Sequence, residues 1–280
     1  MVDAPISAME AVVLGIVQGL TEFLPISSSA HLRIVPALLH WQDPGVAYDA
    51  VIQLGSVLAV IAYFSGDLWK IATGALKGVN ERDFAAQDVR IAGAILLGTI
   101  PIGILGIFLK HLIEQPDSPI RSVTVVGVAS IVMGLLLVLA EKLASHKRTI
   151  DSIGARDGLF VGIGQCMALI PGCSRSGSTL TVAMLLGLKR ADAARFSFLL
   201  GIPAITLSGL LELIHMKEVG LAGDAITTLV IGFVVSAVVS YAAIAWLLKY
   251  LQSHSTWVFV IYRLLFGTAV LLLGANGIIH

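Results

Sequence analysis

The sequence predicts an all-α polytopic membrane protein, with six transmembrane helices plus two re-entrant helical hairpins in an inverted-topology repeat. Three observations predict it. Residues of the AVILMFWYC set fill 57% of the 280 positions, with 28 glycines besides, while only 13% are charged; a soluble domain carries about twice that charge and could not cover so much apolar surface. Windows of about 20 apolar residues recur along the chain, the length a helix needs to cross a bilayer. The second half also repeats landmarks of the first: Pro25 falls on Pro171, Ser28 on Ser174 and Gly55 on Gly201, each 146 residues on, and Gln18 on Gln165 at 147.

Taken in order, the first element is residues 6–40. A helical stretch there runs into Leu24-Pro25-Ile26-Ser27-Ser28-Ser29-Ala30-His31, followed by an apolar stretch too short to span. This reads as two half-helices with a polar tip. Spanning helices follow at about 48–64, 90–109 and 122–140. Residues 157–188 then repeat the hairpin plan around Pro171-Gly172-Cys173-Ser174-Arg175-Ser176-Gly177-Ser178-Thr179, and three more spans lie at about 195–214, 225–248 and 257–275. Non-helical backbone at membrane depth must line a cavity inside the bundle, where protein or water satisfies it. The whole chain, 1–280, is one integral membrane domain with repeat one at about 1–141 and repeat two at about 150–280. Each half holds one hairpin and three crossings, and an odd number of crossings inverts the second half, the plan of many transporters with a site at the repeat interface.

Basic residues orient the bundle. If each hairpin returns to the side it entered from, one face collects Lys70, Lys77, Arg82, Arg90, Lys142, Lys147, Arg148, Arg156, Lys189, Arg190, Arg195 and Lys249, and the other only Lys110, Arg121 and Lys217 with Arg33 nearby. The first face is therefore expected in the cytoplasm and both termini outside. Eighteen basic residues balance eighteen acidic ones, which argues against nucleic acid as a partner. Cys166 and Cys173 lack zinc-ligand spacing and read as packing residues. No basic residue precedes Arg33, so the first apolar stretch does not read as a cleaved signal peptide and the mature chain is expected to start near Met1.

The tips carry the chemistry. Gln18 and Glu22 stand four apart on one helix face, and a carboxylate in an apolar helix faces a functional cavity or, more simply, fastens the bundle. Ser27, Ser28 and Ser29 open a short helix; one of them serves as N-cap, and the set offers hydroxyls and free N–H groups to a phosphate. His31 follows one turn on. Arg175 cannot shed its proton, so it needs an anion, either Glu22 or a ligand, and its planar fork suits phosphate. Ser174, Ser176, Gly177, Ser178 and Thr179 surround it at another helix start.

The run Gly15-Ile-Val-Gln18-Gly-Leu-Thr-Glu22-Phe-Leu-Pro25-Ile-Ser-Ser28-Ser-Ala-His31, together with Pro171-Gly-Cys-Ser174-Arg175-Ser-Gly-Ser-Thr179, resembles the two signature motifs of the undecaprenyl-diphosphatase family, the bacterial bacitracin-resistance membrane phosphatases. The likeness extends over essentially the whole chain, including Phe196-Ser197-Phe198-Leu199. It implies a hydrolase of the inner membrane that converts undecaprenyl diphosphate to the monophosphate at a site open to the periplasm. It also implies recycling of the peptidoglycan carrier lipid and resistance to bacitracin. A divalent metal ion, Mg2+ or Ca2+, is the implied cofactor, with Glu22 and Gln18 as its candidate ligands; Glu22 is the only acid of the first motif. The expected partners are the polyprenyl diphosphate lipid and the bilayer, with a homodimer as candidate assembly. The site residues are Glu22, Ser28, His31 and Arg175 for catalysis, and Ser27, Ser174, Arg175, Ser176 and Thr179 for phosphate. Ser28 is the candidate nucleophile, with His31 relaying its proton and Glu22 orienting that histidine or holding the metal; water activated by Glu22 and His31 is the alternative. The rival class is an inverted-repeat transporter or flippase for an anionic lipid or solute. A phosphatase with a histidine nucleophile fits less well, since Leu180 to Met184 supplies no His or Asp.

Overall fold

The computed structural model describes the backbone of residues 6–114, 118–219 and 223–279. The side chains of Lys110 and Lys217 and both chain ends, on which part of the expected orientation rests, lie outside the described residues. Eleven α-helices account for most of the described chain, and among these residues there is no strand beyond one isolated bridge between Arg148 and Leu188.

Ser7 and Glu10 form a capping box that starts α1 (Ala8–Thr21). Pro25 interrupts the backbone, and α2 (Ser28–Leu39) restarts behind the N-cap Ser27. Helices α3 (Gly45–Tyr63), α4 (Ser65–Asn80), α5 (Gln87–Glu114) and α6 (Val123–Leu143) complete the first half. In the second, α7 (Ala155–Gln165) runs into a 3₁₀ turn at Cys166–Leu169, breaks at Pro171 and restarts as α8 (Arg175–Leu185) behind Ser174. Helices α9 (Arg190–Val219), α10 (Gly223–Ser253) and α11 (Trp257–Ala275) follow.

Among the described residues, five stretches are long and apolar enough to cross a membrane: Gln87–Leu109, Val123–Leu143, Arg190–Leu211, Ile226–Ser253 and Trp257–Ala275. Ala47–Tyr63, joined to Ser65–Asn80 at a 70° bend, is a sixth candidate. The helices thus fall where the apolar windows lie. The exception is α4, which no window marks because its exposed Trp69, Leu76 and Val79 alternate with Lys70, Lys77 and Asn80. Helices α1, α2, α7 and α8, at 14, 12, 11 and 11 residues, are each too short for a crossing of about 20.

Packing interleaves the halves. Helix α1 lies along α10 and α7 lies along α5, while α3 packs on α9 and α6 on α11. Both of the first two contacts are backbone to backbone. A Cβ on Gly15 would sit 2.8 Å from the Gly232 carbonyl oxygen, and one on Gly158 only 2.3 Å from that of Ala94, so small residues four apart let these helices touch. The main apolar core, with Phe23, Phe64, Phe196, Phe198, Met184 and Leu247, lies beside the two broken segments.

Ion pairs gather at one end of the bundle. Arg195 binds Asp67 at 2.6 Å, joining the starts of α9 and α4. Arg190 binds Glu141, which also accepts from Thr256 before α11. Arg148 grips Asp157 through two bonds of 2.8 and 2.9 Å, and Arg90 donates to the Asp151 carbonyl at 2.9 Å.

Candidate active site

The two broken segments meet. Glu22 ends α1, and Ser176 on α8 donates its hydroxyl to the carbonyl oxygens of Glu22 (3.0 Å) and Leu24 (3.1 Å), tying one turn to the other. The backbone conformations match: Ser27 has φ 77° and Ser174 φ 70°, each caps the next helix, and each touches the hydroxyl two residues on, Ser29 at 3.2 Å and Ser176 at 3.1 Å. This sets the local register at 147 residues, pairing Ser27 with Ser174 and Ser28 with Arg175, one residue off the alignment that the prolines suggest. A non-glycine residue rarely holds positive φ without compensation; here the capping bonds supply it.

The Glu22 carboxylate is the hub. Its Oε1 accepts from Arg175 Nη2 at 2.9 Å. Its Oε2 accepts from Ser28 Oγ at 2.7 Å, Gln18 Nε2 at 3.0 Å and Gln53 Nε2 at 3.2 Å. It is 4% exposed, so burial would be prohibitive for the charge without these donors. Behind Gln18 lies a hydroxyl chain between α3 and α10, with Ser56 bound to Ser236 at 3.0 Å and to Ser240 at 2.8 Å.

Arg175 also reaches the Ser197 carbonyl through Nη1 at 3.3 Å, lies over the Phe23 ring at 6.0 Å, and leaves a buried Nε without a hydrogen-bond partner. Its place depends on Gly201, where a Cβ would come within 2.1 Å of Nη1. The first turns of α2 and α8 each hold N–H groups with no intrahelical acceptor, the kind of place where helix starts receive anions.

The sequence-derived set is thus divided by the structure. Gln18, Glu22, Ser28 and Arg175 are joined. The hydroxyls of Ser27 and Ser174 cap Ala30 N and Gly177 N, that of Ser176 ties the turns, and that of Thr179 bonds the Arg175 carbonyl at 2.7 Å and Ser197 Oγ; they brace the two helix starts. His31 departs most from expectation. Its Nδ1 meets the Ser27 carbonyl at 2.7 Å and its Nε2 meets Tyr262 Oη at 2.6 Å, with Phe266 stacked at 4.3 Å. The relay from Ser28 to His31 is not formed, because the serine hydroxyl bonds Glu22 and both ring nitrogens are held elsewhere. Helical periodicity, which turns His31 toward α11, is the physical reason.

Sequence reasoning missed Gln53, Tyr262 and Arg263. Arg263 is 1% exposed and donates to Ser130 O (3.1 Å), Pro25 O (2.9 Å), Gly172 O (2.6 Å) and Cys173 O (3.2 Å). It fastens both turns to α6. An arginine inside the apolar run 257–275 was the available signal; a glutamine or tyrosine in a span gives none so specific.

Among the described residues no three of His, Cys, Asp or Glu converge. The hub offers the Glu22 carboxylate and the Ser28 hydroxyl, and the amides of Gln18 and Gln53, bonded to Glu22 through nitrogen, each carry a carbonyl oxygen besides. These are hard donors, suited to Mg2+ or Ca2+ that takes most of its remaining ligands from substrate phosphate and water.

The chain matches proteins of one family along its length. The profile described as "Bacitracin resistance protein BacA" covers residues 11–269. A protein of Gloeobacter violaceus named undecaprenyl-diphosphatase is 56% identical over 98% of this chain and 94% of its own length. Namesakes in Synechococcus elongatus and Synechocystis sp. are 52% and 54% identical over 96% and 95% of this chain and 93% and 82% of theirs. The chain is a multi-pass membrane protein that belongs to the bacitracin resistance protein BacA family.

Proposed function

We infer that the protein hydrolyses undecaprenyl diphosphate to undecaprenyl phosphate and inorganic phosphate, a reading supported by relatives named undecaprenyl-diphosphatase. The reaction returns the carrier lipid to peptidoglycan synthesis and removes the diphosphate form that bacitracin sequesters. The observation that carries this reading is the part-buried contact of Ser28 and Arg175 with the buried Glu22 carboxylate, each donor standing at a helix start.

The proposed chemistry follows from that contact. Ser28 attacks the terminal phosphorus while Glu22 Oε2, 2.7 Å away, takes the hydroxyl proton; the P–O bond to the bridging oxygen breaks and the lipid monophosphate leaves, taking that proton from Glu22. Water then attacks the phosphoserine and passes a proton to Glu22, which returns it to Ser28 Oγ as the bond from phosphorus to serine breaks and phosphate departs. Arg175, with its unpartnered Nε, and the helix N–H groups hold the oxygens on which charge accumulates. Glu22, Gln18 and Gln53 would hold a divalent cation, which neutralises phosphate charge when bound. Direct attack by water through Glu22 is the second reading of the same site.

The broken pairs α1–α2 and α7–α8 are two re-entrant hairpins, and the six long apolar helices are the crossings. The matched turns and the exchanged packing of α1 on α10 and α7 on α5 support an inverted repeat, with halves at about 1–141 and 150–280. The gathered basic end supports a cytoplasmic position for Arg82, Lys147 and Arg190. Both termini and the site then face the periplasm, where the diphosphate is released. Phosphate release from a polyprenyl diphosphate by the purified protein in detergent tests the activity: turnover is expected, and binding without release would favour an anion transporter.

A further inference from the structure

His31 is buried, yet its side-chain partners, Tyr262 and Phe266, lie on α11. Ser27 O, 2.7 Å from Nδ1, is a carbonyl and can only accept. Nδ1 therefore carries the ring's proton in the neutral imidazole, which leaves the lone pair on Nε2. Tyr262 Oη stands 2.6 Å from Nε2 and must be the donor. The tyrosine ring is stacked near-parallel to the histidine at 5.7 Å and to Phe266 at 6.0 Å, and the histidine to Phe266 at 4.3 Å. Three rings and two hydrogen bonds thus fix one tautomer and one ring orientation. The basic nitrogen points at a residue that is itself 41% exposed.

Resting on the hydrolase reading above, we propose that Tyr262 is a positioning residue of the reaction: its hydroxyl, donating to Nε2, holds the orientation of the His31 ring and stabilises its neutral form. Neither nitrogen of His31 is hydrogen-bonded to Ser28 or Glu22; its side-chain partner is the tyrosine. The ring faces few charges. Arg263, next to Tyr262 on α11, is the cation whose field reaches it, and Glu22, on the α1 side, is engaged by Ser28, Gln18, Gln53 and Arg175. A donor on Nε2 stabilises the neutral imidazole. Removing it makes the ring protonate more readily, and a more acidic phenol does the opposite.

The experiment is the pH profile of phosphate release from a polyprenyl diphosphate by purified protein in detergent. Tyr262→Phe keeps the stacked ring and is expected to hold KM within about twofold, lower kcat by about tenfold, and move the acid limb of kcat to higher pH. Should that variant not fold, 3-fluorotyrosine placed at position 262 keeps shape and hydroxyl and is expected to move the limb to lower pH. The double variant His31→Ala with Tyr262→Phe should be no slower than His31→Ala alone, because the two act as one unit. An unmoved limb in the folded variants, or a double variant slower than both singles by the product of their losses, overturns the proposal while leaving hydrolysis intact. Absence of phosphate release from the unsubstituted protein overturns the hydrolase reading itself, and the proposal with it.

Discussion

At the scale of single residues, the site is a carboxylate held inside an apolar bundle by one guanidinium, one hydroxyl and two amides. Each donor has a distinguishable effect. Glu22→Gln keeps the shape but loses the proton acceptor, so kcat should fall by about a thousandfold with little change in KM, read by phosphate release. Arg175→Lys retains the charge, yet an ammonium cannot reach Glu22 and Ser197 together while offering a further N–H to phosphate. A loss of about a hundredfold in kcat/KM is expected, and near-normal turnover would reduce the arginine to a structural ion pair. Gly201→Ala should be nearly as damaging, since the added methyl would take the space of the guanidinium.

At the scale of elements, the broken segments depend on bonds that cross between helices. Arg263 satisfies carbonyls in both turns, so Arg263→Met should cost about 3 kcal/mol and lower the melting temperature in detergent, and Arg263→Lys should recover only part of it. The Arg148–Asp157 pair governs the start of α7. Burial pushes the Asp157 carboxyl up, but the bidentate hydrogen bonds from Arg148 and the Gly154 N–H outweigh it, and the group sits below the ordinary carboxylate range. A depressed value means stability present above the unfolded-state pKa of about 4 and lost as pH falls through the lower folded value. Melting temperature should therefore drop on acidification below about pH 4, and Asp157→Asn should flatten that dependence. Much at this scale was legible in the sequence, because prolines, polar tips and apolar runs obey strong solvent constraints. Helix α4 was not, as an amphipathic helix lying beside the bundle never satisfies a spanning window. The one-residue register difference between the broken segments showed in the sequence only as the 147-residue offset of Gln18 and Gln165 against 146 for the prolines, because Pro25 and Pro171 occupy different positions in otherwise equivalent turns. The His31 environment was invisible for another reason: its partner is 231 positions away.

At the scale of the whole molecule, the arrangement puts the hub between helices of both halves and gathers cations at one end. Single-cysteine labelling with an impermeant reagent, in a background lacking Cys166 and Cys173, should leave position 82 unlabelled from outside intact cells; labelling there would reverse the orientation. The central claim is that Ser28, aligned by Glu22 and faced by Arg175, attacks a lipid diphosphate. Its most direct test is phosphate release by purified Ser28→Ala set beside Ser27→Ala and Ser29→Ala. The account predicts loss of turnover by at least about a thousandfold in the first, and smaller losses in the other two, since Ser27 makes a capping bond worth about 1 kcal/mol and Ser29 touches only that hydroxyl. Substantial turnover in folded Ser28→Ala would contradict it and make water the nucleophile.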